Sequence, residues 1–266
     1  MAKTRKAKTE KVLAPVRPNA GVEAAFQAKL DAMIDEMQSS LTWWITAGYR
    51  ANTPEMAQDA SPAMVMRILM KRLARRWQKR FDDAAPELAK YYATKMADRA
   101  DGALMATLKK AGFAIEFKLT PEANDILQAT IGEQTGLIRN IASHHLAGIQ
   151  GAVMRSVAAG GDLHSLSKEL HGRYDITRRR AALIARDQNR KATANIQRAR
   201  FQELGVKEAI WIHSHGGRKP RPSHLANDGK RFDVAKGWYD PDAKCYCLPG
   251  SLVNCKCVMR PVIPGF

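Results

Sequence analysis

"DITRRRAALIARDQNRKATANIQRARFQELG" spans Asp175–Gly205, and the stretch "EAIWIHS" follows it at 208–214. The first of these reads as a long helix. Asp175 or Thr177 can cap it, and Gly205 can stop it. Ala182, Ile184, Ala185, Ala192, Ile196 and Phe201 supply small and apolar contacts, while Arg178, Arg179, Arg180, Arg190, Lys191, Arg198 and Arg200 supply charge. In "EAIWIHS" the period drops from helical to two, which is the alternation of a strand. From there to "VMRPVIPGF" the chain is rich in Gly, Pro, Asp and aromatic residues, a composition for turns and short strands. The fold changes character at Gly205, and the expected class is α+β: a mostly helical N-terminal and central region with a small β-rich, irregular C-terminal unit.

Upstream of Asp175 the signals are helical. "DLHSLSKELHGRY" at 162–174 reads as a short helix capped by Asp162, which with the long one makes a helical hairpin. A helix-turn-helix reading of this pair rests only on the Gly-Arg-Tyr-Asp turn. In "TPEANDILQATIGEQTGLIRNIASHHLAGIQGAVMRSVAAGG" (120–161), Thr120, Pro121 and Glu122 are start signals. Ile138, Ile141, Ile149, Val153 and Val157 keep helical spacing, and Gly132 and Gly136 suggest a break. His144 and His145 have no cysteine or carboxylate at ligand spacing and read as packing or surface residues. "FAIEFKL" (113–119) alternates Phe113, Ile115, Phe117 and Leu119 and reads as a half-buried strand.

Further back, "SPAMVMRILMKRLARRWQKRF" (61–81) begins a helix at Ser61 and Pro62. Met66, Met70, Leu73, Trp77 and Phe81 form its apolar stripe, and Arg67, Lys71, Arg72, Arg75, Arg76, Lys79 and Arg80 cover much of the rest. A third helix runs to about Lys110, with Pro86 near its start. The first helix covers Val22 to about Gly48, with Phe26, Leu30, Met33, Met37 and Leu41 on one face. Trp43 and Trp44 close it before the loop "RANTPEMAQDA". The segment "MAKTRKAKTEKVLAPVRPNAG" has no apolar core of a secretory signal and reads as a disordered basic arm broken by Pro15 and Pro18.

The chain has 266 residues, with 43 Lys and Arg against 26 Asp and Glu, giving a formal charge of 43 − 26 = +17. Such an excess implies a polyanionic partner, of which nucleic acid is the commonest. The basic residues of 67–80 and the Arg178, Arg179, Arg180 cluster are the candidate contacts for phosphate or for an acidic partner. No run of about eighteen apolar residues is present, so no membrane span is expected. Walker loops, Gly-x-Ser-x-Gly and His-Glu-x-x-His are absent from the sequence.

All four cysteines lie in "CYCLPGSLVNCKC", Cys245–Cys257. Cys245, Cys247, Cys255 and Cys257 could supply all four ligands of a zinc ion, with Pro-Gly folding the two pairs together. The spacing is Cys-x-Cys rather than the usual Cys-x-x-Cys. His213, His215 and His224 are alternative ligands in a mixed site. A disulfide between the pairs and plain burial of small thiols are the competing accounts.

The run from about Thr120 to Pro261 resembles the phage Mu F-type head morphogenesis family, the minor head proteins of tailed bacteriophages. The resemblance rests on Ala185-Arg186-Asp187, Arg221-x-x-His224, Asn227-Asp228-Gly229 and Asn254-Cys255-Lys256-Cys257, in that order. Arg186, Arg221, His224 and Gly229 are the positions it marks as structural. Two departures stand out. Family members usually have Arg-Thr-Glu where this chain has Arg186-Asp187-Gln188, and an Asp before Arg-x-x-His where this chain has His213 and His215.

The resemblance implies a partition into a basic arm (1–20), a helical N-terminal region (21–119) and a head morphogenesis domain (120–266), with helices over 120–205 and the β-rich unit over 206–266. It implies a non-enzymatic role in capsid assembly with portal and other head assembly proteins. The location implied is the capsid interior, after assembly in the host cytoplasm. DNA would be contacted without sequence preference, and no small-molecule substrate or membrane is expected. The competing readings are a metal-dependent nuclease using His215 or His224 as general base, and a zinc-stapled nucleic-acid-binding protein.

Overall fold

A computed structural model of the chain describes residues 10–51, 61–216 and 219–263. Its elements are β1 (Lys11–Val12), α1 (Ala20–Ala51), α2 (Pro62–Lys110), α3 (Pro121–Ala158), α4 (Leu163–Glu203), β2 (Glu208–Ile212), α5 (Pro222–Ala226), β3 (Arg231–Asp233), β4 (Trp238–Asp240), β5 (Cys245–Cys247) and β6 (Val258–Ile263). The expected α+β class holds, with helices first and short strands after Gly205.

The helices are longer and fewer than the sequence suggested. Pro86 lies inside α2 rather than near a start. A proline within a helix removes one hydrogen bond and costs about 3 kcal/mol. The buried series Phe81, Ala85, Ala89, Ala93, Met96, Ala100, Leu104 and Leu108 continues through it at helical spacing, and that burial outweighs the loss. Gly132 and Gly136 do not break α3, because Thr130, Gln134, Ile138, Ile141, His145 and Ile149 keep one buried face across them. No turn separates 162–174 from 175–205, so the helical hairpin and the helix-turn-helix reading both fall. Leu166, Leu170, Thr177, Ala181 and Ile184 form a single buried stripe along α4. Asp162 caps its start as expected, its carboxylate accepting the N–H groups of His164 and Ser165 at 2.9 and 3.2 Å.

Two compact units share these helices, and neither matches a contiguous sequence domain. The partition at 21–119 and 120–266 therefore differs from the spatial one. One unit takes Ala24–Tyr91 and Ile131–Ala185. It buries Phe26, Leu30, Ile34 and Met37 of α1, Met70, Trp77 and Phe81 of α2, Ile141 and Ile149 of α3, and Ala181 of α4. Polar ties run between the same helices. Trp77 Nε1 donates to Ser40 Oγ at 3.2 Å, and Tyr49 Oη donates to the Val153 carbonyl at 3.3 Å. His145, 2% exposed, donates from Nε2 to Gln38 Oε1 at 3.1 Å and accepts the Thr177 hydroxyl at Nδ1 at 2.8 Å. It is a packing residue, as its spacing suggested. Burial, followed by the neighbouring His144 and Arg173 charges, brings its pKa down to about 4.

The other unit takes the described parts of Met1–Glu23, Tyr92–Thr130 and Arg186–Phe266. Its four-stranded sheet has the order β1-β6-β2-β3, and β4 pairs with β5 in a separate ribbon, all antiparallel. Trp211 and Met259 from the sheet meet Leu104 and Leu108 of α2 and Phe201 of α4 in one apolar cluster, which Cys247, Cys255 and Cys257 join. Two expectations change here. Residues 1–9 of the basic arm lie outside the described residues, but 10–19 are ordered. Leu13 and Val16 are buried at 4% exposure each, and Lys11 and Val12 pair with Ile263 and Val262. Apolar residues among the charges give this segment a face to bury. "FAIEFKL" keeps its alternation but joins no ladder: Phe113, Ile115 and Phe117 pack on the cluster as extended chain, with Leu119 exposed.

Candidate functional site

Three of the four motifs that carry the family resemblance meet at the irregular loop Leu248–Cys257, and the fourth, Asn227-Asp228-Gly229, lies against His213, His215 and Trp211. Gly250 and Asn254 have φ of +88° and +60°, and these two left-handed residues turn the loop back on itself. A Cβ at Gly250 would stand 3.2 Å from the Cys257 carbonyl oxygen, so the turn is closed tightly around a bare glycine. Beyond Asn254 the chain runs extended. Cys255 and Cys257 face inward, at 3% and 4% exposure, and Lys256 between them faces out and donates from Nζ to the Gly216 carbonyl at 2.6 Å.

Three side chains hold this loop from outside. Arg186 of α4 donates from Nη2 to Asn254 Oδ1 at 3.2 Å. The Asp187 carboxylate accepts the Asn254 N–H, both oxygens lying at 3.2 Å. Arg221 donates from Nη2 to the Val253 carbonyl at 3.0 Å. Asp187 thus makes the backbone contact at the point where the sequence departs from the usual family residues. Burial raises the Asp187 carboxyl, and the Asn254 N–H only partly offsets it.

His224 sits inside. It lies on the one-and-a-half-turn helix α5, which Pro222 opens at N1 after an extended Arg221. Its ring packs edge-to-face on Trp211 at 4.9 Å between centroids. Nε2 donates to Asp240 Oδ2 at 3.0 Å. Nδ1 is 3.5 Å from Cys255 Sγ and 3.7 Å from Cys257 Sγ. The Gly250 N–H donates to Cys255 Sγ at 3.3 Å. Cys255 is the thiolate side of this pair. The hydrogen bond from Cys257, helped by His224 and the Gly250 N–H, lowers its pKa against the cost of burial, and the same contact raises Cys257. Burial would lower the His224 pKa, but the Cys255 and Asp240 contacts outweigh it and raise it.

The four cysteines do not make one cluster. His224, Cys255 and Cys257 offer ligand atoms within 4.8 Å of one another, as do His224, Asp240 and Cys247. Cys245 is half-buried on β5 and belongs to neither group. All four thiols are free, with no disulfide between the pairs. Burial pushes the Cys247 thiol up to about 12. Of the alternative ligands, His215 faces Asp228 from Nε2 at 3.1 Å, while His213 gives Asp228 only its backbone N–H, at 2.8 Å, and its ring Nδ1 accepts the His215 N–H at 3.1 Å. Gly229, at φ +75°, donates its N–H to the Trp211 carbonyl and closes that turn. Sequence reading missed Asp240, which is fully buried behind His224. In "WYDPD" nothing sets it apart from a turn residue. The His224 ring is 2% exposed, with Nε2 on Asp240 and Nδ1 beside the two sulfurs.

The candidate basic contacts divide. Arg67, Lys71, Arg72, Arg75, Arg76 and Arg179 are exposed and, among the described residues, have no carboxylate partner. Lys79 is bound to Asp83 at 2.9 Å, and Arg80 pairs with Glu36 and lies over the Trp77 ring. Arg178 is held by Asp31 at 2.9 Å and Asp35 at 2.9 Å, and Arg180 donates to Asn140 at 2.6 Å.

Arg186 and Asp187 of α4, Arg221, and the cluster of His224, Cys255 and Cys257 thus meet at one loop. Residues 147–260 match the family described as Phage Mu protein F like protein, and the resemblance read from the sequence holds over that segment. The family points to phage head morphogenesis. A protein of Haemophilus influenzae, described as an uncharacterized protein, is 33% identical over 144 residues. That similarity covers 54% of this chain and 31% of the relative, so the chain spans about a third of the relative's length. No solved structure matches. Among the described residues, no helix is long and apolar enough to cross a membrane.

Proposed function

We propose that the protein is a minor head protein of a tailed bacteriophage, which associates with the portal and other assembly proteins and contacts packaged DNA without sequence preference. The observation that carries this reading is the Mu F-like segment, in which Arg186, Asp187, Arg221 and His224 all contact the loop Leu248–Cys257. The site would act as a structural clasp rather than a catalytic centre, with Arg186, Asp187 and Arg221 fixing the loop. In the assembling phage the protein would enter the head from the host cytoplasm and stay in its interior.

The DNA contact is assigned to the free face of α2. Arg67, Lys71, Arg72, Arg75 and Arg76 lie opposite the buried Met66, Met70, Leu73 and Trp77 stripe. Five cations on about 14 Å of helix suit a phosphate backbone. The assembly role is tested by mass spectrometry of heads purified from the phage that encodes the protein. A small, fixed copy number per head is expected, and its absence from heads and their precursors overturns the reading. The DNA contact is tested by fluorescence anisotropy with duplexes of unrelated sequence over a salt series. Arg72→Gln, Arg75→Gln and Arg76→Gln together should reduce the slope of log K against log salt by about 0.9 per lost contact. An unchanged slope removes α2 from the interface.

A further inference from the structure

We propose that His224, Cys255 and Cys257 bind one Zn2+ ion, with Asp240 orienting the histidine and a fourth, solvent-filled position facing the adjoining cavity. This goes beyond the head-protein reading and stands independently of it.

The case begins with ligand chemistry. Two thiolates and one imidazole form a borderline-soft donor set, which suits zinc over magnesium or calcium. Distances come next. A tetrahedral ion with Zn–S of about 2.3 Å and Zn–N of about 2.0–2.1 Å separates its ligand atoms by about 3.5–3.8 Å. The spacings from His224 Nδ1 to the two sulfurs, 3.5 and 3.7 Å, fall on those edges. All three ligand atoms lie within 4.8 Å of one another, so an ion needs at most a small inward shift of the sulfurs.

The surroundings are those a metal site needs. Asp240, buried behind the ring, accepts the Nε2–H hydrogen bond and so leaves the Nδ1 lone pair facing the thiols. A carboxylate on the far nitrogen is the usual support of a metal-bound histidine. The Gly250 N–H already points at Cys255 Sγ, where it stabilises a thiolate in place of a proton. A cavity of about 280 Å3, lined by Cys255, Cys257, His213, Arg221 and Asn254 among others, meets the cluster on its open side. It supplies room for a water as the fourth ligand. Cys247, in the separate group with Asp240, and Cys245, half-buried on β5, are left out.

Such an ion joins α5 to the loop Leu248–Cys257, which has no regular secondary structure of its own. Because the ligands come together only in the folded chain, binding stabilises the fold by mass action.

The test uses the full chain, stripped with chelator under reducing conditions. Co2+ is titrated as the spectroscopic probe, and Zn2+ is used to displace it. One equivalent is expected, with tetrahedral d–d bands and a thiolate-to-metal charge-transfer intensity of two sulfurs. One equivalent of Zn2+ should protect two of the four thiols from a thiol reagent. Cys245→Ser should leave all of this unchanged. Cys255→Ser, Cys257→Ser or His224→Asn should abolish stoichiometric binding, and Asp240→Asn should weaken it about 10–100-fold. Should the cluster variants fail to fold, the thiol count in the wild-type chain and the Cys245→Ser titration still decide. No stoichiometric binding, a four-sulfur spectrum, loss on Cys245→Ser, or a one-sulfur spectrum lost on Cys247→Ser overturns the assignment.

Discussion

Replacing Arg200 by Met tests whether the second unit is held by its apolar cluster alone. Arg200 is 3% exposed, and five hydrogen bonds occupy its guanidinium. Nε and Nη2 grip the Asp101 carboxylate of α2 at 2.9 and 2.7 Å. Nη1 donates to the Lys118 carbonyl at 2.8 Å and to both oxygens of Glu203 at 2.9 Å. The guanidinium also lies 4.8 Å from the Phe117 ring. One side chain thus ties α4 to α2 and to the extended segment after it. Methionine fills similar volume but leaves these acceptors unpaired. Breaking a buried ion pair from one side costs about 3–5 kcal/mol. The side chains of Asp101 and Glu203 are 18% and 24% exposed and regain some water, so the lower end applies, about 3 kcal/mol. Arg200→Lys keeps the charge but loses the fork, and should fall between the two. The assay is urea unfolding followed by tryptophan fluorescence, comparing midpoints at unchanged slope. A loss below about 1 kcal/mol for Arg200→Met would mean that the carboxylates and Lys118 are as well satisfied by water, and would refute the reasoning.

Three further outcomes are expected. His145 titrates near 6.5 when unfolded and at about 4 when folded, so the unfolded chain binds the extra proton first. Stability conferred by the neutral ring is complete above pH 6.5 and falls as pH drops toward 4. The difference is worth roughly 3 kcal/mol by pH 4 and about 2 kcal/mol at pH 5. A His145→Gln chain should lose that part of its acid sensitivity in a pH series of urea midpoints. Gly237→Ala places a Cβ 2.7 Å from the Cys247 carbonyl oxygen at φ +77°, whereas Gly160→Ala at φ +96° meets nothing within 4 Å. The first should therefore cost well over the second's roughly 1 kcal/mol of backbone strain, measured as melting temperature. Arg178→Gln removes the partner of half-buried Asp31 and Asp35 and should destabilise the chain by about 1–3 kcal/mol. It should leave the salt slope of DNA binding untouched, while Arg75→Gln lowers that slope and leaves stability unchanged.

Much of this architecture was legible because it is periodic. The stripes of α1 and α2, the cap at Asp162, the stop at Gly205 and the strand at Glu208–Ile212 all appear in local pattern. What misled was punctuation. Pro86, Gly132, Gly136 and Gly172 each read as a boundary, but each local penalty is smaller than the burial of the continuing stripe. The candidate site was half legible. His224, Arg186, Arg221 and the second Cys-x-Cys pair were marked by sequence, and the structure gathers them. The structure sets Cys255 and Cys257 against His224 and puts Cys247 in a second group, a division that equal spacing in sequence does not encode. Asp240 and the Asp187–Asn254 contact depend on chain segments meeting across 16 and 67 residues, a relation that local pattern does not encode. Charge likewise counted Arg178 and Lys79 as available when neighbouring carboxylates had already taken them.

The pairing of β1 with β6 has a consequence for how the chain is made. β6 lies in the interior of the sheet, between β1 and β2, and it is synthesised after all the other strands of that sheet. Arg260 reaches back 247 positions in sequence to the Leu13 carbonyl. While the ribosome is still adding residues before Val258, Leu13 and Val16 have no sheet to cover, and Trp211 and Phe232 lack their neighbour Met259. Closing so long a loop is slow, and the exposed strand edge is open to wrong partners until it closes. The helical segments of Ala24–Tyr91 and Ile131–Ala185 can pack as they emerge, but the unit that holds the His–Cys cluster must wait until β6 has been made. That wait is the step at which crowding by other nascent copies matters most.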